Sequence, residues 1–141
     1  MKTKICIVVA NYYPKISKDL LRGAHKVLNR RNVKKYKTIY SPGIFEIPVI
    51  ISRNIKQYDG FIALGCVIKG KTSHHNLISK ACTNAIMHLS ITHKKPISNG
   101  IITCNNKKQA QIRSSFSKKN KGEEAAKAVL SVLGIYKNDS K

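Results

Sequence analysis

Residues 61–68 read Phe-Ile-Ala-Leu-Gly-Cys-Val-Ile, a run without one charged side chain. A strand with one face in water alternates apolar and polar residues, whereas a run that is apolar throughout fits a strand covered on both faces. Residues 5–10, Ile-Cys-Ile-Val-Val-Ala, repeat the pattern and are rich in β-branched side chains. Two such strands in a chain of 141 residues predict a parallel sheet clad by helices on both sides.

Outward from these two runs the period changes. Asn11 to Pro14 form a loop, and from Ser17 onward Leu20, Leu21, Ala24, Val27 and Leu28 fall on one helical face, with Ser17 as the expected N-cap. Residues 37–40 suggest a second strand, which Ser41-Pro42-Gly43 breaks, and a helix is expected from about Pro48. Beyond 61–68 come a loop through His75, a helix over 76–93, a strand over 97–103, and two closing helices over about 107–116 and 122–137. Strands alternating with helices and joined by right-handed crossovers define an α/β class: a three-layer αβα, doubly wound, four-stranded parallel sheet, in one domain over 1–141. In such sheets ligands bind beyond the carboxyl ends of the strands. That rule nominates Asn11 to Pro14, Ser41 to Glu46, Cys66 to His75 and Asn99 to Cys104 as the site.

Composition narrows the class. With 42% apolar residues the chain can bury a core, and no apolar run approaches the roughly 20 residues that span a bilayer. The first fifteen residues look like a strand and not a signal peptide, so the expected location is cytoplasmic. Cys6, Cys66, Cys82 and Cys104 sit among apolar or small neighbours without a C-x-x-C spacing, which reads as reduced core thiols and not a disulfide framework or zinc cage. There are 27 Lys and Arg against 6 Asp and Glu, a net charge of +21. Such a surface attracts polyanions at low salt whatever its function. The excess is diffuse and is 22 Lys against 5 Arg, where a nucleic-acid-binding module would cluster Arg and display aromatics on one face. Lys, Ile and Asn are encoded by A/T-rich codons, so base composition accounts for the bias and nucleic-acid binding is expected to be incidental.

Gly65 to Thr72 matches the phosphate-loop pattern G-x-x-x-x-G-K-[ST] and lies between a strand and a helix. A working loop curls backbone N–H groups around phosphates, but Cys66, Val67 and Ile68 favour continued strand. The magnesium-binding Asp usual at the end of another apolar strand is also missing, since the acids after Thr72 are Glu123, Glu124 and Asp139. An NTPase is therefore rejected. Backbone amides of Gly70 to Thr72 at a helix N-terminus still offer an anion site.

With the crevice loops in view, the chain resembles the lumazine synthase family over nearly its whole length. The resemblance rests on Ser-Pro-Gly-Ile-Phe-Glu-Ile-Pro at 41–48, Tyr-Asp-Gly-Phe-Ile-Ala-Leu-Gly at 58–65 and Val-Ile-Lys-Gly-Lys-Thr-Ser-His at 67–74. Asn-Gly-Ile-Ile-Thr at 99–103, Gln-Ala-Gln-Ile-Arg at 109–113 and Asn-Lys-Gly-Glu-Glu-Ala-Ala at 120–126 follow in order. It implies a flavodoxin-like fold and a cofactor-free, metal-free transferase. The implied reaction condenses 5-amino-6-(D-ribitylamino)uracil with 3,4-dihydroxy-2-butanone 4-phosphate to 6,7-dimethyl-8-ribityllumazine, the penultimate step of riboflavin biosynthesis.

The resemblance also implies roles for single residues. His74 matches the proton-transferring histidine, and an imidazole with an ordinary pKa of about 6.5 gives and takes protons near neutrality. His25, His75, His88 and His93 read as structural or surface histidines. Arg113 matches the arginine that grips phosphate, a task suited to a planar guanidinium fork, and Lys71 and Thr72 match further positions around the phosphate-bearing substrate. Tyr12 matches an aromatic that stacks on the pyrimidine. Ile44, Phe45 and Glu46 match the segment contacting the pyrimidine and its ribityl chain, Glu46 accepting from hydroxyls. Cys66, Val67 and Ile68 line the strand end beneath the ring, and Asn99 stands at a further pyrimidine contact.

The chain departs from the family pattern at several of these positions. Asn99 replaces a frequent Phe, Tyr12 a Phe, Lys69 an Arg, His75 an aromatic and Asn76 an acid. An acid beside His74 would raise its pKa, so Asn76 is expected to lower the basicity of His74. Family members place the site between neighbouring subunits of a five-membered ring, some rings assembling into sixty-subunit shells. The segment 116–122 lacks the glycines of the shell-forming turn, having Ser115 and Lys119 instead, which favours a free homopentamer or a small multiple of it.

Overall fold

The computed structural model describes residues 2–70, 72–115 and 119–136. β1 (Lys4–Ala10) lies inside the sheet, hydrogen-bonded in parallel to β2 (Lys35–Ser41) on one side and to β3 (Gly60–Ile68) on the other. β4 (Ile97–Cys104) pairs in parallel with the outer edge of β3, giving the order β2-β1-β3-β4. The chain reverses its direction of travel across the sheet between β1 and β3, which opens a crevice at their carboxyl ends. The register sets Val8 between Ile39 and Ala63, and Ile5 through Ala10 are all buried.

Alternate residues of β1 feed two cores. Ile5, Ile7 and Val9 pack with Leu20, Ala24 and Leu28 of α1 (Pro14–Arg30), Ala110 of α4 (Lys107–Ser114), and Ala126, Val129 and Leu130 of α5 (Lys121–Val132). Cys6, Val8 and Ala10 pack with Ile47 and Ile51 of α2 (Ile47–Asn54) and with Cys82 and Ile86 of α3 (His74–His93). The architecture is the three-layer αβα sheet expected from the alternation. All four cysteines are buried and free. Among the described residues no helix is long and apolar enough to cross a membrane.

Element ends differ from expectation for identifiable reasons. Ser17 is not the cap of α1: the helix opens at Pro14, whose fixed φ suits the first turn, and Tyr13 is the N-cap. Ser17 lies inside the helix, buried, where its hydroxyl donates to the Ala10 carbonyl at 2.6 Å and ties α1 to the end of β1. β2 extends to 35–41 because an edge strand takes its pairing from β1 despite exposed Lys35 and Lys37. α3 begins at His74 and not at residue 76. α4 stops at Ser114, and Phe116 to Lys118 lie outside the described residues. α5 stops at Val132, short of 137, because Gly134 takes a left-handed φ of 78°. Gly65 through Ile68 continue β3, paired with Ile101 through Cys104, so the residues a phosphate loop would wrap around its ligand are committed to the sheet.

Candidate active site

The strand ends position three loops around one crevice. The Asn11 N–H donates to the Ser41 carbonyl at 3.2 Å, and the Ser41 hydroxyl donates to the Gly43 carbonyl at 2.6 Å, which fixes the loop after β2 against the loop after β1. Gly65 on β3 lets that loop close in. A Cβ there would collide with the Ile44 side chain and come within 3.2 Å of the Ala10 Cβ, so glycine is what allows Ile44 to pack onto the sheet end. The resulting pocket of about 360 Å³ is walled by Tyr12, Ile44, Cys66, Val67, Ile68, Thr72 and His74 from the nominated set, with Tyr13, Gly43, Gly70, His75 and Ile78 completing it.

The walls are apolar and the rim is polar. Ile44, Cys66 and Val67 are buried, whereas Tyr12 is 73% exposed and meets Tyr13 edge-on with ring centroids 5.0 Å apart. Burial pushes the Cys66 thiol up to about 12, its neighbour Cys104 adding to the shift, so it serves as a neutral floor and not as a nucleophile. Burial also raises Tyr13 above its ordinary value. His74 stands exposed on the first turn of α3, its backbone N–H donating to the Thr72 hydroxyl at 3.3 Å. The His75 Nδ1 lies 3.1 Å from the Thr72 carbonyl. Thr72 thus braces the His74 backbone with its side chain and the His75 imidazole with its main chain at the mouth.

Four described members of the nominated set are not in this lining. Phe45 is 66% exposed beside the pocket. Glu46 is the N-cap residue of α2, its carboxylate folded back so that even a Cβ on Gly43 would lie 2.9 Å from Oε1. Arg113, exposed on α4, donates from Nη1 to the Thr103 carbonyl at 3.0 Å and lies 3.8 Å from the Cys104 sulfur. Asn99 pairs with Ala63 in mid-sheet, where its amide donates to the Thr83 hydroxyl at 3.5 Å and its carbonyl accepts from the Ile101 N–H at 3.0 Å. This register keeps Asn99 away from its own chain's pocket: β4 runs on to Cys104, leaving only Thr103 and Cys104 at the carboxyl end. Lys71 lies outside the described residues.

Tyr13 and Ile78 were within reach of sequence reasoning. Tyr13 belongs to the nominated loop after β1, and Ile78 follows His74 by four positions, one helical turn along the same face. Asn76 follows by two, is exposed, and lies outside the lining.

The 6,7-dimethyl-8-ribityllumazine synthase family profile matches residues 2–137. The chain is 40% identical to the 6,7-dimethyl-8-ribityllumazine synthase of Bartonella tribocorum over 96% of its own length and 91% of that protein's. The synthase of the same name from Buchnera aphidicola is 42% identical over 95% of this chain and 87% of its own. That of Agrobacterium fabrum is 37% identical over 96% of both. A flavodoxin-like sheet, a pocket at its switch point and likeness at this level from end to end have one common account: the chain belongs to the 6,7-dimethyl-8-ribityllumazine synthase family.

Proposed function

We propose that the pocket brings 5-amino-6-(D-ribitylamino)uracil and 3,4-dihydroxy-2-butanone 4-phosphate together and condenses them to 6,7-dimethyl-8-ribityllumazine. The pyrimidine amine attacks the ketone carbon and water leaves, forming an imine. Loss of a C–H proton expels phosphate as the C–O bond breaks, and the resulting enol tautomerises to a new carbonyl. The ribityl-bearing nitrogen closes the ring on that carbonyl with loss of a second water. Each stage moves protons between carbon, nitrogen and oxygen, and His74 at the mouth is the group that carries them. Tyr12, Ile44, Cys66, Val67 and Ile68 clasp the flat ring, Phe45 and Glu46 receive the ribityl chain, and Thr72, Lys71 and Arg113 hold the phosphate. No cofactor takes part; much of the acceleration comes from holding two small molecules in register.

The observation that carries this reading is the convergence of an apolar slot, a Thr-His-His mouth and exposed aromatics at one sheet end. Arg113 and Asn99 lie outside the same chain's pocket lining, which favours sites completed by the neighbouring copy in a pentameric ring. The outer surface of α3 supports this too: Leu77, Met87 and Ile91 are exposed, 69% in the case of Ile91, and apolar surface of that kind calls for a cover. The protein works in the cytoplasm on diffusible metabolites.

The test mixes both substrates with purified protein and follows lumazine fluorescence. His74→Ala is expected to lower kcat by about 100-fold, the scale of a general acid–base contribution. Arg113→Ala should raise KM for the phosphate substrate by roughly 10- to 100-fold, the scale of a lost charge-assisted hydrogen bond. A wild-type protein that forms no lumazine refutes the reading, and a monomer that turns over at full rate refutes the shared site.

A further inference from the structure

α4 is only eight residues long and buries just Ala110 and Ser114, too little to hold its place by packing alone. Its start is set locally: the Asn106 side-chain carbonyl accepts from the Gln109 N–H at 2.9 Å, and the Gln109 Oε1 accepts from the Asn105 N–H at 2.8 Å. Its end is set from elsewhere. Asn120, 2% exposed, donates from Nδ2 to the Ser114 carbonyl at 2.8 Å and to the Asp19 carbonyl at 2.9 Å, while its Oδ1 accepts from the Glu123 N–H at 2.9 Å. A carboxamide has two N–H groups and one carbonyl, and here each has a partner. α1, α4 and α5 therefore meet on one side chain. Two glycines make room for it: a Cβ on Gly23 would collide with the Asn120 carboxamide, and one on Gly122 with the Leu20 carbonyl.

We infer that Asn120 is the positioning residue that sets where the Arg113 guanidinium stands, an inference that rests on the assignment of Arg113 to the phosphate-bearing substrate. The residue it pins, Ser114, is the covalent neighbour of Arg113, and the guanidinium itself leans on the Thr103 carbonyl at 3.0 Å. The arginine is held by its backbone through Asn120 and by its head through β4. Releasing the backbone lets α4 shift while Thr103 still holds Nη1, so the fork turns away from the anion. A misplacement of about 1 Å is enough to cost a large factor in rate or binding.

The test is Asn120→Asp, with Asn120→Ser as a second variant should the first not fold. Both keep an oxygen for the Glu123 N–H; the aspartate loses both N–H groups and sets a carboxylate against two carbonyl oxygens. In the intact assembly, KM for the phosphate substrate is expected to rise about 10-fold and competitive inhibition by inorganic phosphate to weaken by the same factor. KM for the pyrimidine should stay within about 2-fold, and in an Arg113→Ala background the Asn120 effect should vanish, since residues acting through one group are not additive. Leu130→Ala, a buried truncation in the same α1–α5 seam, should lower Tm without splitting the two KM values. Equal rises in both KM values, or an Asn120 effect that adds in full to Arg113→Ala, would overturn the inference alone. An unchanged phosphate KM in Arg113→Ala would overturn it together with the assignment beneath it.

Discussion

At Gly65 the end of β3 and the pocket wall compete for the same space, and Gly65→Ala separates what that space does for stability from what it does for binding. The added methyl would overlap Ile44 and sit 3.2 Å from the Ala10 Cβ, inside the about 3.5–4.0 Å of good carbon–carbon contact. Ala10 is anchored in β1 and cannot retreat, so the Ile44 side chain must move, by roughly 1–1.5 Å to regain that contact distance. Ile44 is 7% exposed and its free side is the pocket, so it moves into the slot. Overpacking of this kind costs about 1–3 kcal/mol, and relief into open space puts this case at the lower end. For a chain of 141 residues, about 1–2 kcal/mol corresponds to a fall in Tm of roughly 3–8 °C, compared at equal protein concentration because association adds to apparent stability. The lost width falls on the ring-binding wall, so KM for the pyrimidine should rise about 10-fold or more while KM for the phosphate substrate holds. Thermal unfolding and fluorescence-detected kinetics on one preparation measure both. A variant that loses more than about 10 °C but keeps its pyrimidine KM would show the methyl absorbed by the core, and the account of Ile44 as a wall held by Gly65 would be wrong.

Three further perturbations follow from the titratable groups. Burial lowers the His25 pKa below its ordinary 6.5, so the unfolded chain binds this proton more readily and the contribution of His25 to stability declines as pH falls below about 6.5; His25→Gln should flatten that part of a Tm-against-pH curve, and an unchanged slope would refute it. With Cys66 pushed up to about 12, and Cys6 and Cys82 to about 11, these thiols should resist iodoacetamide at pH 7.5 in the native protein and react at once in denaturant; rapid native labelling at any of them would contradict the burial. Asn76→Asp, which puts a carboxylate two positions after His74, should move the basic limb of the pH–rate profile upward, and an unchanged profile would refute the view that the missing acid matters.

β1 and β3 were legible because burial on both faces leaves no charged residue within 5–10 or 61–68, a pattern that needs no tertiary context. β2 was seen only in part: Lys35 is acceptable on an edge, and what extends the strand back to Lys35 and Tyr36 is pairing with Lys4 and Ile5, a long-range fact. Ser17 shows the converse. A serine three residues into a helix and a serine capping one look alike in sequence, and here the hydroxyl served Ala10 while Pro14 began the helix. The crevice loops followed from strand ends, but where Asn99 sits depended on the register of β4, which sets it opposite Ala63 in mid-strand and away from its own chain's pocket.

Charge accounting adds what neither periodicity nor register supplies. In a chain with 27 cationic side chains, a carboxylate finds a structural use readily. Asp19, Glu123 and Glu124 hold ion pairs, and Asp59 accepts the Lys4 N–H at 2.8 Å, closing the entry to β1. Glu46 makes none of these contacts among the described residues, although it opens α2, a place where a carboxylate could have capped the helix and does not. An acid left uncommitted on so basic a background, folded back over Gly43 at the crevice rim, suits the acceptor role that the proposed function gives it. A polyhydroxylated chain presents donors, whereas a phosphate would be repelled. On the proposed function the two substrates would then sort to opposite ends of the slot: hydroxyls toward the carboxylate after β2, and the anion toward the backbone amides after β3 and the Arg113 of a neighbouring copy.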